Sequence, residues 1–134
     1  MDGFMTTIPT VALFGEAEKG RFKKPYILRE LPHLVDTLGS PPPESEGIFF
    51  AIQTLLYKRE LIFFRVEEEG FSFSDYFHGL AYLQDREKVK QLNALCLPGI
   101  GEPKVLEASQ AVCEMHKSIL ITSQKDLYDY LTAI

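Results

Sequence analysis

Tryptophan is absent from the 134 residues, histidine occurs three times and cysteine twice. The cysteines, Cys96 and Cys113, form no Cys-x-x-Cys pair, which excludes a disulfide scaffold and a zinc ribbon. They read as small, reduced, buried side chains of a cytosolic protein. His33, His78 and His116 are isolated from one another, so no His-x-x-x-His or Cys/His cluster offers a metal site. A Gly-x-Ser-x-Gly elbow is missing, and with it the usual serine-nucleophile turn. Long apolar runs are missing too. The longest, Ile48-Phe49-Phe50-Ala51-Ile52, is far below the roughly 20 residues of a membrane helix, so no membrane span is expected. Met1-Asp2-Gly3-Phe4 lacks a basic segment leading into an apolar one, so no secretory signal is read there. A basic surplus is also lacking: 14 Lys and Arg face 19 Asp and Glu, a net charge of -5, which argues against a nucleic-acid partner.

What remains is a globular composition, 46% hydrophobic and 25% charged, enough for one domain spanning residues 1–134. Four short β-prone runs stand out: Thr10–Phe14, Leu61–Val66, Ala94–Leu97 and Ser118–Thr122. Each is apolar without helical periodicity, as strands buried on both faces are. Helical spacing fills the gaps. Tyr26–Leu38 carries Ile27, Leu31, Leu34, Val35 and Leu38 on one stripe, with Pro32 marking a kink or a late start. Glu46–Lys58, capped by Ser45, carries Ile48, Ala51, Ile52, Leu55 and Leu56. Ser74 caps a third helix facing the core through Phe77, Leu80, Ala81 and Leu83. Pro103 opens a fourth that runs to about His116, and Lys125–Thr132 forms a fifth behind a Ser123 cap.

Strands alternating with helices predict parallel pairing and crossover connections. The expected fold is α/β: one three-layer domain with a four-stranded, mostly parallel sheet, Rossmann-like or flavodoxin-like, and helices on both faces. In such sheets ligands sit beyond the carboxyl ends of the strands, at the switch in strand order.

Three of the four loops there carry candidate residues. The first, Gly15 to Lys24, offers Gly15, Glu16, Lys19 and Arg21, and five of the 14 basic residues lie between Lys19 and Arg29. Glycine lets a ligand approach the backbone, and Lys or Arg holds phosphate or carboxylate. It is not a P-loop, because the Gly-Lys-Ser/Thr ending is missing, and a solvated turn accounts for it equally. The third, Pro98 to Lys104, offers Gly99, Gly101 and Lys104 ahead of a helix, the setting of an anion site, although Lys104 stands where a dinucleotide fingerprint needs glycine. The second, Glu67-Glu68-Glu69, places carboxylates at the end of the second strand, with Glu67 and Glu69 on one side of it. They suit a general base, a ribose hydroxyl or simply a solvated strand end. Arg65 lies inside that strand, and a carboxylate partner is expected for it, Glu67 or one of the first loop.

No motif names a reaction or a cofactor. The residues support an anionic ligand, nucleotide-like or a sugar phosphate, at the strand ends of a cytoplasmic protein. The alternative is a non-enzymatic interaction or regulatory module forming a homo-oligomer through aromatic surface. That second reading rests on the dense set Phe63, Phe64, Phe71, Phe73, Tyr76, Phe77 and Tyr82, of which Phe71 and Phe73 flank a loop, and on the terminal Leu127–Leu131.

Overall fold

Ten elements follow one another in the computed structural model, which describes residues 8–133. They are β1 (Thr10–Gly15), β2 (Pro25–Leu28), α1 (Leu31–Leu38), α2 (Gly47–Leu56), β3 (Glu60–Arg65), α3 (Phe73–Leu83), β4 (Ala94–Cys96), α4 (Pro103–His116), β5 (Ile119–Ile121) and α5 (Gln124–Thr132). The Met1–Phe4 stretch read for a signal lies outside the described residues.

The strands form one sheet in the order β2-β3-β1-β4-β5. β1 runs parallel to β3 on one side and to β4 on the other, and β5 continues parallel to β4. The chain therefore leaves β1 toward β3 and returns across it to β4, so the switch in strand order falls at β1. All six β1 residues are buried. Their alternation divides them between two cores. Val11 and Leu13 pack with Leu34 and Leu38 of α1, Phe50, Ala51 and Leu55 of α2, and Leu127 and Leu131 of α5. Ala12 and Phe14 pack with Tyr76, Leu80 and Leu83 of α3 and with Val105 and Val112 of α4. On that second side the Phe14 ring stacks on Phe64 at 4.8 Å and on Tyr76 at 5.4 Å. The three layers expected from the sequence are thus present, with α1, α2 and α5 on one face and α3 and α4 on the other.

The four expected strands all form, and a fifth joins them. Pro25–Leu28 pairs antiparallel with β3, Pro25 opposite Phe64 and Leu28 opposite Leu61. Ile27 matches the helical stripe that continues through Leu31 to Leu38, yet it lies in this strand. Helix begins only at Leu31, with Pro32 in its first turn, where the missing N–H costs nothing. Val35 consequently points to solvent, 59% exposed. Proline at the first residue of an edge strand is the place a sheet tolerates it.

Two further assignments shift. α3 buries Tyr76, Gly79, Leu80 and Leu83 instead of Phe77 and Ala81, because it starts at Phe73, after Ser72, and Ser74 lies inside it. Ser45 does not cap α2; its hydroxyl donates to the Pro42 carbonyl at 2.7 Å. α4 begins at Pro103 as expected, and Ser123 caps α5 by accepting from the Asp126 N–H.

Candidate functional site at the carboxyl ends of the strands

α2 starts without Ser, Thr, Asp or Asn at its N-cap, so its first N–H groups need an acceptor from elsewhere. Glu69, on the loop after β3, supplies it. One carboxylate oxygen accepts from the Glu46 N–H at 2.9 Å, and the other from the N–H groups of Gly47 and Glu16, both at 2.8 Å. Glu16 reciprocates, its carboxylate accepting from the Glu69 N–H at 3.0 Å. The β1 end, the α2 start and the β3–α3 loop are thereby fastened at one point. Burial pushes the Glu69 carboxyl above its ordinary range, against the pull of the three N–H donors, and the Glu16 charge pushes the same way.

That arrangement demands close backbone approach. A Cβ on Gly15 would stand 2.6 Å from the Gly47 Cα, and one on Gly47 would stand 2.6 Å from the Gly15 Cα. The two glycines let strand end and helix start touch. The loop itself is stitched by its neighbours. Asp75 accepts from the Glu67 N–H, Ser72 Oγ from the Glu68 N–H, and Tyr76 Oη from the Gly70 N–H at 2.7 Å. Burial pushes the Tyr76 hydroxyl up to about 12. At Gly70 φ is +89°, and a Cβ there would stand 2.7 Å from the Gly99 carbonyl oxygen. The Glu69–Gly70 turn therefore reaches from β3 across the end of β1 to the loop after β4, covering the switch in strand order.

The candidate residues divide accordingly. Gly15, Glu16 and Glu69 come together, with Gly99 next to Gly70. Arg65 turns to the first loop, but its partners are carbonyls, not the expected carboxylate. Nε donates to Ala17 O at 3.2 Å, Nη1 to Gly20 O at 2.5 Å, and the guanidinium lies 4.3 Å from the Phe22 ring centroid. Glu67 is exposed at the rim of an open basin of about 500 Å³ that Glu16, Glu68 and Ser72 also line. Lys19 and Arg21 are exposed on the first loop. Gly101 and Lys104 are exposed at the start of α4, where Glu102 accepts the Lys104 N–H. The N–H groups an incoming anion would use at α2 and α4 are thus held by carboxylates of the chain itself. Sequence reasoning passed over Glu46, Gly47, Ser72, Asp75 and Tyr76. Ser45 reads as the cap of α2, so nothing in the sequence signals that the first N–H groups of that helix need an acceptor from elsewhere.

Both cysteines are free and buried, and burial pushes both thiols up, away from thiolate chemistry. Among the described residues no group of three or more His, Cys, Asp or Glu is placed to hold a metal ion, and no helix is long and apolar enough to cross a membrane. Comparison with family models, with curated proteins and with solved structures finds no match to this chain.

Arg65 allows a direct test. Arg65→Met removes both carbonyl bonds and the ring contact, and the chain should lose about 1–2 kcal/mol in urea unfolding. Trypsin should cut the Lys19–Lys24 loop faster than in the parent chain, because the guanidinium reinforces the Phe22–Arg65 backbone bridge that ties that loop to β3. Unchanged stability and unchanged cleavage would show that the contact holds nothing.

Proposed function

We propose that the chain is a non-catalytic protein-interaction module that works as a self-associated pair, joined through α2. The observation that carries this reading is the character of that helix. Its ten residues, Gly-Ile-Phe-Phe-Ala-Ile-Gln-Thr-Leu-Leu, include no charge. An uncharged helix whose polar residues are Gln53 and Thr54 alone belongs largely in an interior. This one has its inner side in the core and turns Phe49, 48% exposed, and Leu56, 59% exposed, outward. Tyr57 follows it, also exposed, and α1 adds Val35 to the same layer.

A second copy is the partner that suits this surface. Two chains of net charge -5 repel, so they meet best where neither carries charge. The ends of α2 are oppositely charged: Glu44 and Glu46 precede it, Lys58 and Arg59 follow it. A twofold axis across the helix runs the two copies antiparallel and sets Glu46 of one against Lys58 of the other. The strand-end N–H groups taken up by Glu69 fit a role without a bound anion, and two free thiols fit the reducing cytoplasm.

Light scattering across a dilution series tests this. The parent chain should have the mass of a dimer. Phe49→Asp should be a monomer, because a buried anchor is worth about 2 kcal/mol or more and the twofold counts it twice. Glu46→Lys should weaken the pair, and adding Lys58→Glu should restore it. A parent chain that stays monomeric at high concentration would sink the reading, and failed restoration would exclude the antiparallel arrangement.

A further inference from the structure

A second hollow lies at the other end of the sheet, where no strand-end argument places a ligand. β2 runs antiparallel to β3, so its last residues arrive beside the amino ends of β1 and β3. On the α3–α4 side neither helix covers Ile27, which is 52% exposed although its neighbours Ile62 and Leu28 are buried. The loop between α3 and β4 forms the facing wall. Together these segments enclose a hollow of about 340 Å³.

Its floor and walls are aliphatic: Ile8, Ile27, Ile62 and Val89. Its rim carries Arg29, Lys88 and Lys90, with Glu60 as the one carboxylate lining it among the described residues. Glu60 is already engaged, accepting from Arg29 Nε at 2.6 Å. Lys88 stands 3.8 Å from Asp85, over the Tyr82 ring, and Lys90 is exposed. Arg29 is taken by Glu60 and Lys88 shares its charge with Asp85, so with Lys90 the rim keeps a net positive charge around an apolar well.

We infer that this hollow is a binding site for a small amphipathic anion, an alkyl or aryl carboxylate whose apolar body fills the well while its charge meets the Lys88–Lys90 rim. The volume admits roughly ten non-hydrogen atoms, taking about 30 Å³ for each water-sized group. Apolar walls with a few convergent polar groups are the ordinary make-up of a small-molecule site. Charge complementarity selects the sign of the ligand, and the well selects against small hydrophilic anions. The hollow is independent of the self-association through α2, which lies on the opposite face of the sheet.

Titration calorimetry with octanoate, octyltrimethylammonium and acetate, all below micelle-forming concentrations, is the test. Octanoate should bind, while the other two should not. Lys88→Glu with Lys90→Glu should weaken octanoate roughly tenfold or more, the equivalent of one well-placed charge contact. Ile27→Asn should weaken it by a similar factor with both lysines in place, and Phe49→Asp should leave it unchanged. Ile27, Lys88 and Lys90 are exposed, so thermal unfolding of the variants at these positions should match the parent chain and separate lost binding from lost fold. Octanoate without measurable binding, equal binding of the octyl cation, or full affinity in the lysine double variant would each overturn the inference.

Discussion

Glu69→Ala should cost about 3 kcal/mol in urea unfolding and roughly 10 °C in melting temperature. The carboxylate is the acceptor for three N–H groups, those of Glu16, Glu46 and Gly47. Removing it leaves the first turn of α2 and the end of β1 without partners. Water reaches this half-buried position and softens the loss, which keeps the figure below three full orphan penalties. Glu69→Gln should fall between the two, since one amide oxygen remains as an acceptor while the amide NH2 faces a donor. An alanine variant as stable as the parent would mean that solvent satisfies the helix start unaided.

Gly15→Ala should cost about 3 kcal/mol as well, through sterics instead of hydrogen bonding. The added Cβ would meet the Gly47 Cα at 2.6 Å and Glu69 Oε2 at 3.1 Å. The first obstacle is backbone, which cannot turn aside as a long side chain does. α2 must back away from β1, and in doing so it stretches the bonds that Glu69 makes. The two changes therefore act on one joint. In a double-mutant cycle in urea the Gly15→Ala/Glu69→Ala variant should lose clearly less than the sum of the two single losses, by about 1 kcal/mol or more. Strict additivity would show that the glycine contact and the carboxylate bonds are separate devices.

How much of this was legible follows from what kind of signal each feature emits. β1, β3 and β4 announce themselves because strands buried on both faces must be apolar throughout, and runs as short and β-prone as Thr10–Phe14 or Leu61–Phe64 suit little but a buried strand; β5 is as apolar but lies at the sheet edge with Ile119 exposed, against the expectation of burial on both faces. Pro103 and Ser123 mark helix starts through chemistry local to a few residues. β2 stayed hidden because four residues carry little periodicity, and Ile27 extended a genuine helical stripe by chance. What makes Pro25–Leu28 a strand is its ladder with β3, more than thirty residues away in sequence. At the site, Glu69 was visible as a strand-end carboxylate, but its partners stand 22, 23 and 53 residues away. Spacing along the chain cannot show that the carboxylate faces inward to backbone donors. The need of Arg65 for partners is plain from its place in an apolar strand. The choice of carbonyls over a carboxylate is settled by how the first loop curls back over β3.

β1 has a consequence for how the protein comes apart. Val11 and Leu13 of this strand belong to one core and Ala12 and Phe14 to the other, and β3 and β4 divide their residues in the same way, so β1 is the middle plank of a three-strand wall that the two cores share. Neither helical layer can melt alone without stripping one side of that plank and exposing aliphatic and aromatic surface to water. Partial unfolding is thereby made nearly as unfavourable as complete unfolding, and all-or-none cooperativity is built into the strand that both halves of the molecule need.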